Sequence, residues 1–157
     1  MSKVKALAER LLVELRPFSR KIKIAGSIRR RVSDPRDIDI LIIPRNKLGV
    51  YQTLNRGERR NVTSHGQKKI DAVVEGVQVN IVFTTDNEWA PALMYFTGPK
   101  GANIWNRKLA SNKGLKLNQE GLFDLKTGKR IHTPTEKSIY DKLGKTYRRP
   151  DARGKAR

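Results

Sequence analysis

The segment DIDILIIP, residues 37–44, constrains the fold most, because it sets two acids at the start of an otherwise apolar run. Side chains alternate faces along a strand, so Asp37 and Asp39 share one face, roughly 7 Å apart, while Ile38 and Ile40 point into a core. Two carboxylates this close repel each other unless a cation lies between them. The segment therefore predicts a buried strand with an edge that suits Mg²⁺, an ion that prefers oxygen ligands. Acids paired with nearby arginines are the alternative.

The other apolar patterns predict an α+β protein with a mixed β-sheet flanked by helices. Helical spacing over residues 3–16 indicates an amphipathic helix that ends at Pro17. Two β-branched runs joined at Glu75 and Gly76 indicate a hairpin. After Thr85 two helical segments, short strands and a last helix capped by Thr133 or Thr135 predict a second small α+β lobe. We expect two domains, residues 1–86 and 87–157, the second ending in a basic, partly disordered tail over residues 147–157.

Charge is the strongest bulk signal. The chain has 34 Lys and Arg against 15 Asp and Glu, a net charge of +19, which favours a polyanionic partner, normally nucleic acid, over a role in solubility alone. Binding should weaken steeply with salt. Candidate phosphate contacts, each with a solvated surface role as the alternative, are Lys68, Lys69, Lys108, Lys113 and Lys116. The segment TSHGQ, which contains His65, is expected to form a loop that could reach DNA or nucleotide.

Several classes are excluded by what the sequence lacks. It has no cysteine, so disulfides and thiolate metal sites are impossible. No run approaches the roughly 20 apolar residues of a membrane span, and the first residues do not resemble a signal peptide. We therefore expect a soluble, intracellular protein that has no membrane partner.

The segment GSIRR, residues 26–30, adds a second functional signal. A Gly-Ser turn between a strand and a helix start offers backbone N–H groups and the Ser27 hydroxyl to an anion, and Arg30 adds positive charge. Alone, the segment is equally typical of a tight turn with a basic helix face. Followed ten residues later by two acids, it indicates a nucleoside triphosphate brought to Mg²⁺, the arrangement of nucleotidyl transfer.

These residues resemble a known family. Gly26-Ser27, Arg30 and Asp37-x-Asp39 are similar to the nucleotidyltransferase signature of family X DNA polymerases, such as DNA polymerase beta. In the second lobe the resemblance continues in order and spacing through YFTG at residues 95–98, Asn103, Arg107 and KGLKLNQEGLF at residues 113–123. It covers about residues 20–150 and implies a nucleotidyltransferase palm followed by a lobe that contacts nucleotide and template.

The resemblance implies a role for each matching residue. Asp37 and Asp39 would bridge two Mg²⁺ ions, for which Mn²⁺ can substitute, and Asn80 stands at the third catalytic and metal-ligand position. The triphosphate would contact Gly26, Ser27 and Arg30. The incoming deoxynucleotide would contact Tyr95, Phe96, Gly98 and Asn103, and Arg107 would contact the template strand. The implied function is template-directed extension of a primer 3′ end by two-metal chemistry, filling gaps during DNA repair. With this function we expect a monomer that is cytoplasmic or located where DNA is repaired or replicated.

Two departures from the family matter. The chain has no room for an amino-terminal lyase domain or helix-hairpin-helix clamps, so a minimal form that holds primer-template or gapped DNA largely by charge is expected. In addition, the strand VQVNI carries Asn80 where the family has its third Asp. An amide cannot accept the proton of the primer 3′ hydroxyl, and loss of a general base costs about 10²–10⁴ in rate. We therefore expect an impaired or inactive enzyme.

Three interpretations stay open at this stage. Asn80 is either a substitution that traps a substrate complex or a natural variant. A template-independent nucleotidyltransferase would share the Gly-Ser and Asp-x-Asp motifs but would not need Asn103, Arg107 or the +19 charge. A non-catalytic protein that binds DNA gaps or ends would explain Asn80 best.

Overall fold

A computed structural model describes residues 2–155. The chain divides into two compact units between Thr84 and Thr85, which we call unit 1 and unit 2. Among the helices of residues 2–155, none combines the length and apolarity that crossing a membrane requires.

Unit 1 is a five-stranded mixed sheet with helices. Its elements in chain order are α1 (Lys3–Leu15), β1 (Ser19–Ile24), α2 (Gly26–Arg29), β2 (Asp37–Pro44), α3 (Lys47–Leu54), β3 (Arg60–His65), β4 (Lys69–Val74) and β5 (Val77–Phe83). The strand order is β1-β2-β5-β4-β3. The β2–β5 pair is parallel and the other neighbouring pairs are antiparallel. The predicted α+β class with a mixed sheet is confirmed.

The core of unit 1 follows from two sequence periods. Helical spacing places Leu7, Leu11 and Leu15 of α1 on one side, where all three are fully buried. The period of two along β2 buries Ile38 and Ile40 in the same cluster. This packing leaves the alternate positions at the start of β2, Asp37 and Asp39, on the opposite face of the sheet.

Strand β3 corrects the sequence analysis, which predicted a loop around His65. Residues 60–65 pair with β4 in an antiparallel ladder, and His65 is the last residue of the strand, with its ring 4.8 Å from that of Tyr51. The strand lies at the edge of the sheet and is mostly exposed. An exposed edge strand lacks the apolar alternation by which strands are recognised, because its pairing is made by the backbone.

Unit 2 combines helices with a small antiparallel sheet. Its elements are α4 (Trp89–Thr97), α5 (Lys100–Asn112), β6 (Leu115–Asn118), β7 (Gly121–Asp124), β8 (Arg130–Ile131) and α6 (Glu136–Leu143). The strand order is β6-β7-β8. Of the two threonines that the sequence offered as caps of α6, Thr135 forms a capping box with Ser138. The core includes Met94, Leu122 and Ile139.

The basic tail is a second correction, because it is ordered as far as it is described. Pro150–Ala152 form a short 3₁₀ turn, and Arg153 is only 4% exposed. Its Nη1 donates to Glu136 Oε2 of α6 at 2.7 Å. A run rich in arginine predicts solvent exposure unless a buried acid lies elsewhere in the fold, and local sequence does not reveal that acid. Residues 156 and 157 lie outside the described residues.

Candidate active site

The parallel pairing of β2 with β5 builds a polar row on one face of the sheet in unit 1. Asp39 is in register with Asn80, and Asp37 with Gln78. Residues opposite each other on neighbouring strands point to the same face, so the four side chains lie together. Asp37 is exposed, and the other three are partly buried. The row is therefore accessible at the Asp37 end and more enclosed beside Asp39.

Two hydrogen bonds fix the amide of Asn80. Its Nδ2 donates to Asp39 Oδ1 at 3.0 Å, and its Oδ1 accepts from Gln78 Nε2 at 3.0 Å. Asn80 thus presents an N–H group to Asp39 and turns its oxygen away. An aspartate at this position has no donor to offer, so it would face Asp39 as a second negative charge.

Burial governs the charge state of Asp39. Loss of solvent contact raises the pKa of this carboxyl, and the charge of Asp37 raises it further, whereas the Asn80 hydrogen bond and the charge of Arg30 lower it; the net direction is upward. A hard cation beside Asp37 and Asp39 would favour the ionised form. Residues 2–155 contain no group of three or more His, Cys, Asp or Glu placed to hold a metal. The donor set therefore fits one ion held by two carboxylates.

We predict that Asp39→Asn stabilises the metal-free protein at pH 7. Because the pKa of Asp39 is higher in the folded state, the protonated carboxyl favours folding. This contribution to stability is fully present below the unfolded pKa and is lost as the pH rises through the folded pKa. At neutral pH the ionised carboxylate therefore opposes folding, and an amide does not. Thermal unfolding in EDTA should give a higher Tm for the variant at pH 7, with a difference that shrinks as the pH falls towards about 4.

The matched control for this prediction is Glu58→Gln, which removes an exposed acid of unit 1 and should change the Tm little. An unchanged or lower Tm for Asp39→Asn at pH 7 would contradict the assignment of a desolvated carboxylate.

The Gly-Ser turn is packed directly against this row. Gly26 has φ +62°, and a Cβ at this position would overlap the carboxylate of Asp39. The N–H of Ala25 also donates to the backbone oxygen of Asp39 at 2.8 Å. Only glycine meets both demands, the positive φ and the close approach. Ser27 and Arg30 follow on the same turn and are partly buried. Since α2 is one turn long, its capacity for anions rests on these side chains.

Asp71 is a polar residue of this face that the sequence analysis missed. It is in register with Asn80 across the β4–β5 hairpin, and its Oδ1 is buried without a hydrogen-bond partner. Its Oδ2 lies 3.5 Å from Lys69 Nζ. The signal was present, because a two-residue turn at Glu75 and Gly76 pairs residue 71 with residue 80.

Unit 2 brings its own predicted residues together. Tyr95, Asn103 and Arg107 line one small cleft, and Asn103 Nδ2 donates to the backbone oxygen of Tyr95 at 2.8 Å. The ring of Phe96 packs edge-on against Tyr95, with 4.9 Å between centroids. Gly98 ends α4 with φ 64°, a conformation that glycine adopts readily. All five lysines predicted to contact phosphate are exposed. Lys68 and Lys69 lie in unit 1, and Lys108, Lys113 and Lys116 lie in unit 2.

Comparison with known proteins decides the family. Residues 92–154 match the family described as DNA polymerase beta thumb. Over 163 aligned residues the chain is 33% identical to Repair DNA polymerase X of African swine fever virus (isolate Pig/Kenya/KEN-50/1950), covering 96% of this chain and 94% of the relative. The chain belongs to the family X DNA polymerases. The predicted resemblance to this family, in its minimal form, is confirmed.

Two further relatives are longer proteins. DNA polymerase/3′-5′ exonuclease PolX of Bacillus subtilis is 26% identical over 94% of this chain but only 27% of its own length. DNA polymerase lambda of Rattus norvegicus is 34% identical over 48% of this chain and 15% of its own length. The viral relative, in contrast, has almost the same extent as this polymerase.

Proposed function

We propose that this family X polymerase adds deoxynucleotides to a primer 3′ end under the direction of a template, and that it fills short gaps during DNA repair. Its substrates would be a dNTP and primer-template or gapped DNA, bound by a monomer. Residues 1–86 would form the palm, and residues 87–157 would contact nucleotide and template. The proposal depends above all on one observation, the contact of the Gly26 turn with the carboxylate of Asp39.

In this proposal the palm places a triphosphate against the two acids. Arg30 supplies positive charge, and the Ser27 hydroxyl donates a hydrogen bond to a phosphate oxygen. Gly26 holds the turn close enough for the phosphates to reach Asp37 and Asp39. Because the acids sit on a strand whose other face is packed in the core, their positions are fixed before substrate binds.

Asp37 and Asp39 would hold Mg²⁺ or Mn²⁺ at this place. When bound, the ion neutralises phosphate charge and lowers the pKa of a coordinated hydroxyl. The family resemblance implies two ions, and the second would rely on Asp37, Asp39 and the weaker oxygen of Asn80. To offer that oxygen beside Asp39, the amide must turn over and give up its hydrogen bonds with both Asp39 and Gln78. We therefore expect the second ion to bind weakly.

Asn80 supports a second candidate function. With no carboxylate at this position the protein could bind gapped or broken DNA ends with little catalysis. Both candidates predict DNA binding, because the chain carries a net charge of +19. They differ in whether a carboxylate at residue 80 produces incorporation.

The test is filling of a one-nucleotide gap by the Asn80→Asp protein with each dNTP in turn. Incorporation that follows the template base supports the polymerase, and incorporation that ignores it favours a template-independent nucleotidyltransferase. Asp37→Ala in the same background should abolish the product. If Asn80→Asp gives no product with Mg²⁺ or Mn²⁺, the DNA-binding candidate replaces the polymerase.

The cleft of unit 2 leads to a prediction about fidelity. Arg107 is exposed at the rim of the cleft that Asn103 and Tyr95 also line, and we propose that it contacts the template strand. In the Asn80→Asp background, Arg107→Ala should lower the ratio of correct to incorrect incorporation by about tenfold, the effect of losing roughly 1.4 kcal/mol of contact. Steady-state kinetics with matched and mismatched dNTPs measure the ratio, and Lys100→Ala, which truncates an exposed lysine of the same helix, is the control. An unchanged ratio would refute the role.

A further inference from the structure

Unit 2 contains a second concave surface, which we call the tryptophan groove. It is about 640 Å³ in volume and is bounded by α5, α6 and the segment after α6; its lining includes Trp105, Leu109, Tyr140, Lys145, Arg148 and Lys155. This volume is within the range of specific small-ligand sites, roughly 300–1,000 Å³. None of the proposed roles above uses it.

The tryptophan groove is separate from the cleft of Asn103 and Arg107. Successive helix residues turn by about 100°, so Trp105 and Leu109 lie about 150° around α5 from Asn103 and Arg107. Between these two faces, Asn106 is buried in unit 2. One helix therefore presents two different surfaces, and their substitutions can be separated experimentally.

Trp105 is the unusual residue of the groove. It is 57% exposed, whereas Trp89 of the same unit is 8% exposed. A large exposed aromatic ring in a concave surface is a suitable platform for a nucleobase, because every base has an apolar face that can stack.

The rim of the groove is basic. Its described lining includes Lys145, Arg148 and Lys155 and contains no Asp or Glu. A fourth cation of the lining, Arg153, is buried in its ion pair with Glu136. Lys145 Nζ lies 5.3 Å from the centre of the Tyr140 ring and donates to Asn106 Oδ1 at 2.9 Å. Arg148 Nη1 donates to the backbone oxygen of Lys155 at 2.7 Å. These contacts hold cationic groups beside the aromatic surface. The groove therefore complements a nucleic acid strand, which carries anionic phosphates beside bases.

The groove is also held in shape by buried contacts. Two contacts join the segment after α6 to that helix. One is the Arg153–Glu136 ion pair, and the other is the edge-on packing of the Tyr140 and Tyr147 rings, whose centroids are 5.4 Å apart. A wall fixed in this way loses little conformational entropy when a ligand binds.

We propose that the tryptophan groove binds single-stranded DNA, with one base stacked on Trp105 and the adjoining phosphates near Lys145 and Lys155. This inference rests on the proposed function, because the single strand would be an unpaired part of the DNA substrate. It adds a contact that is distinct from the cleft of Asn103 and Arg107.

The probe is a twelve-nucleotide oligothymidylate titrated into the full chain while tryptophan fluorescence is recorded. We expect saturable quenching, lost in Trp105→Ala, with an affinity about 5- to 150-fold weaker in that variant by fluorescence anisotropy of labelled DNA. Trp105→Phe should retain most of the affinity. Leu125→Ala, which truncates an exposed side chain of the same unit, is the control and should bind normally. Lys155→Gln should reduce the slope of log affinity against log salt by about 1.

Two results would overturn the proposal. If Trp105→Ala binds the oligothymidylate as tightly as the unchanged protein does, no base stacks on Trp105. If poly-glutamate quenches the fluorescence equally well, the groove suits an acidic protein partner instead of DNA. Failure here is distinguishable from failure of the proposed function. A Trp105→Ala, Asn80→Asp protein that still fills a gap but binds the oligothymidylate normally refutes only the groove.

Discussion

Replacing Asn80 by Asp should increase the rate of single-nucleotide gap filling by about 10²–10⁴-fold, the usual contribution of a general base. Residue 80 is in register with Asp39, and its side chain already reaches Asp39 Oδ1 at 3.0 Å. A carboxylate at this position needs no rearrangement of the sheet to lie beside the two acids of β2. The measurement is a single-turnover experiment with excess protein and a saturating dNTP in Mg²⁺.

The same substitution should change metal dependence. Asn80→Asp removes an N–H donor from Asp39 and adds a negative charge, and both changes oppose ionisation of a carboxyl whose pKa burial already raises. Without divalent ions the variant should therefore unfold at a lower temperature than the unchanged protein. Added Mg²⁺ should restore more of its Tm than it does in the unchanged protein, because a ligand that binds only the folded state stabilises it.

Gln78→Glu is the matched control for Asn80→Asp. It places a new carboxylate on the same strand and face, but opposite Asp37 instead of Asp39. If position matters more than added charge, Gln78→Glu should leave the gap-filling rate within a few-fold of the unchanged protein. Equal activation by both variants, or by neither, would contradict the role proposed for residue 80.

Breaking the ion pair between Arg153 and Glu136 should destabilise unit 2 by about 3–5 kcal/mol, the usual effect of leaving one partner of a buried pair uncompensated. The two side chains are 2% and 8% exposed, and their atoms are 2.7 Å apart. Arg153 Nε also donates to the backbone oxygen of Arg148 at 3.0 Å. Arg153→Ala therefore removes the link between the last segment and α6 and leaves Glu136 buried without its cation.

Urea unfolding of Arg153→Ala and Glu136→Gln measures this effect. Lys137→Gln is the control, because it breaks an exposed pair with Asp141 on the same helix, and such pairs contribute about 0.3–0.5 kcal/mol. The Glu136→Leu, Arg153→Met protein should recover much of the loss, since apolar replacements of a buried pair are often neutral. A loss from Arg153→Ala no larger than that from Lys137→Gln would contradict the stabilising role of the buried ion pair.

Local sequence patterns predicted a helix or strand correctly where a single hydrophobic period ran through the whole element. The leucines of α1 and the alternation of β2 predicted the helix, the strand and the shared face of Asp37 and Asp39. The turn at Glu75 and Gly76 predicted the β4–β5 hairpin, and the same turn pairs Asp71 with Asn80. Strand β3 was not predicted because five of its six residues are polar and its order comes from backbone pairing.

The sequence by itself determined the family, the α+β class and the two acids that define the candidate active site, because each depends on short-range spacing. Only the tertiary structure decided that Asn80 donates to Asp39, that Gly26 lies against the same carboxylate, and that Arg153 is buried with Glu136. These contacts join residues 41, 13 and 17 positions apart. The physical reason is that sheet pairing and burial of charge are settled by the packing of whole elements, and local residue order carries no record of it.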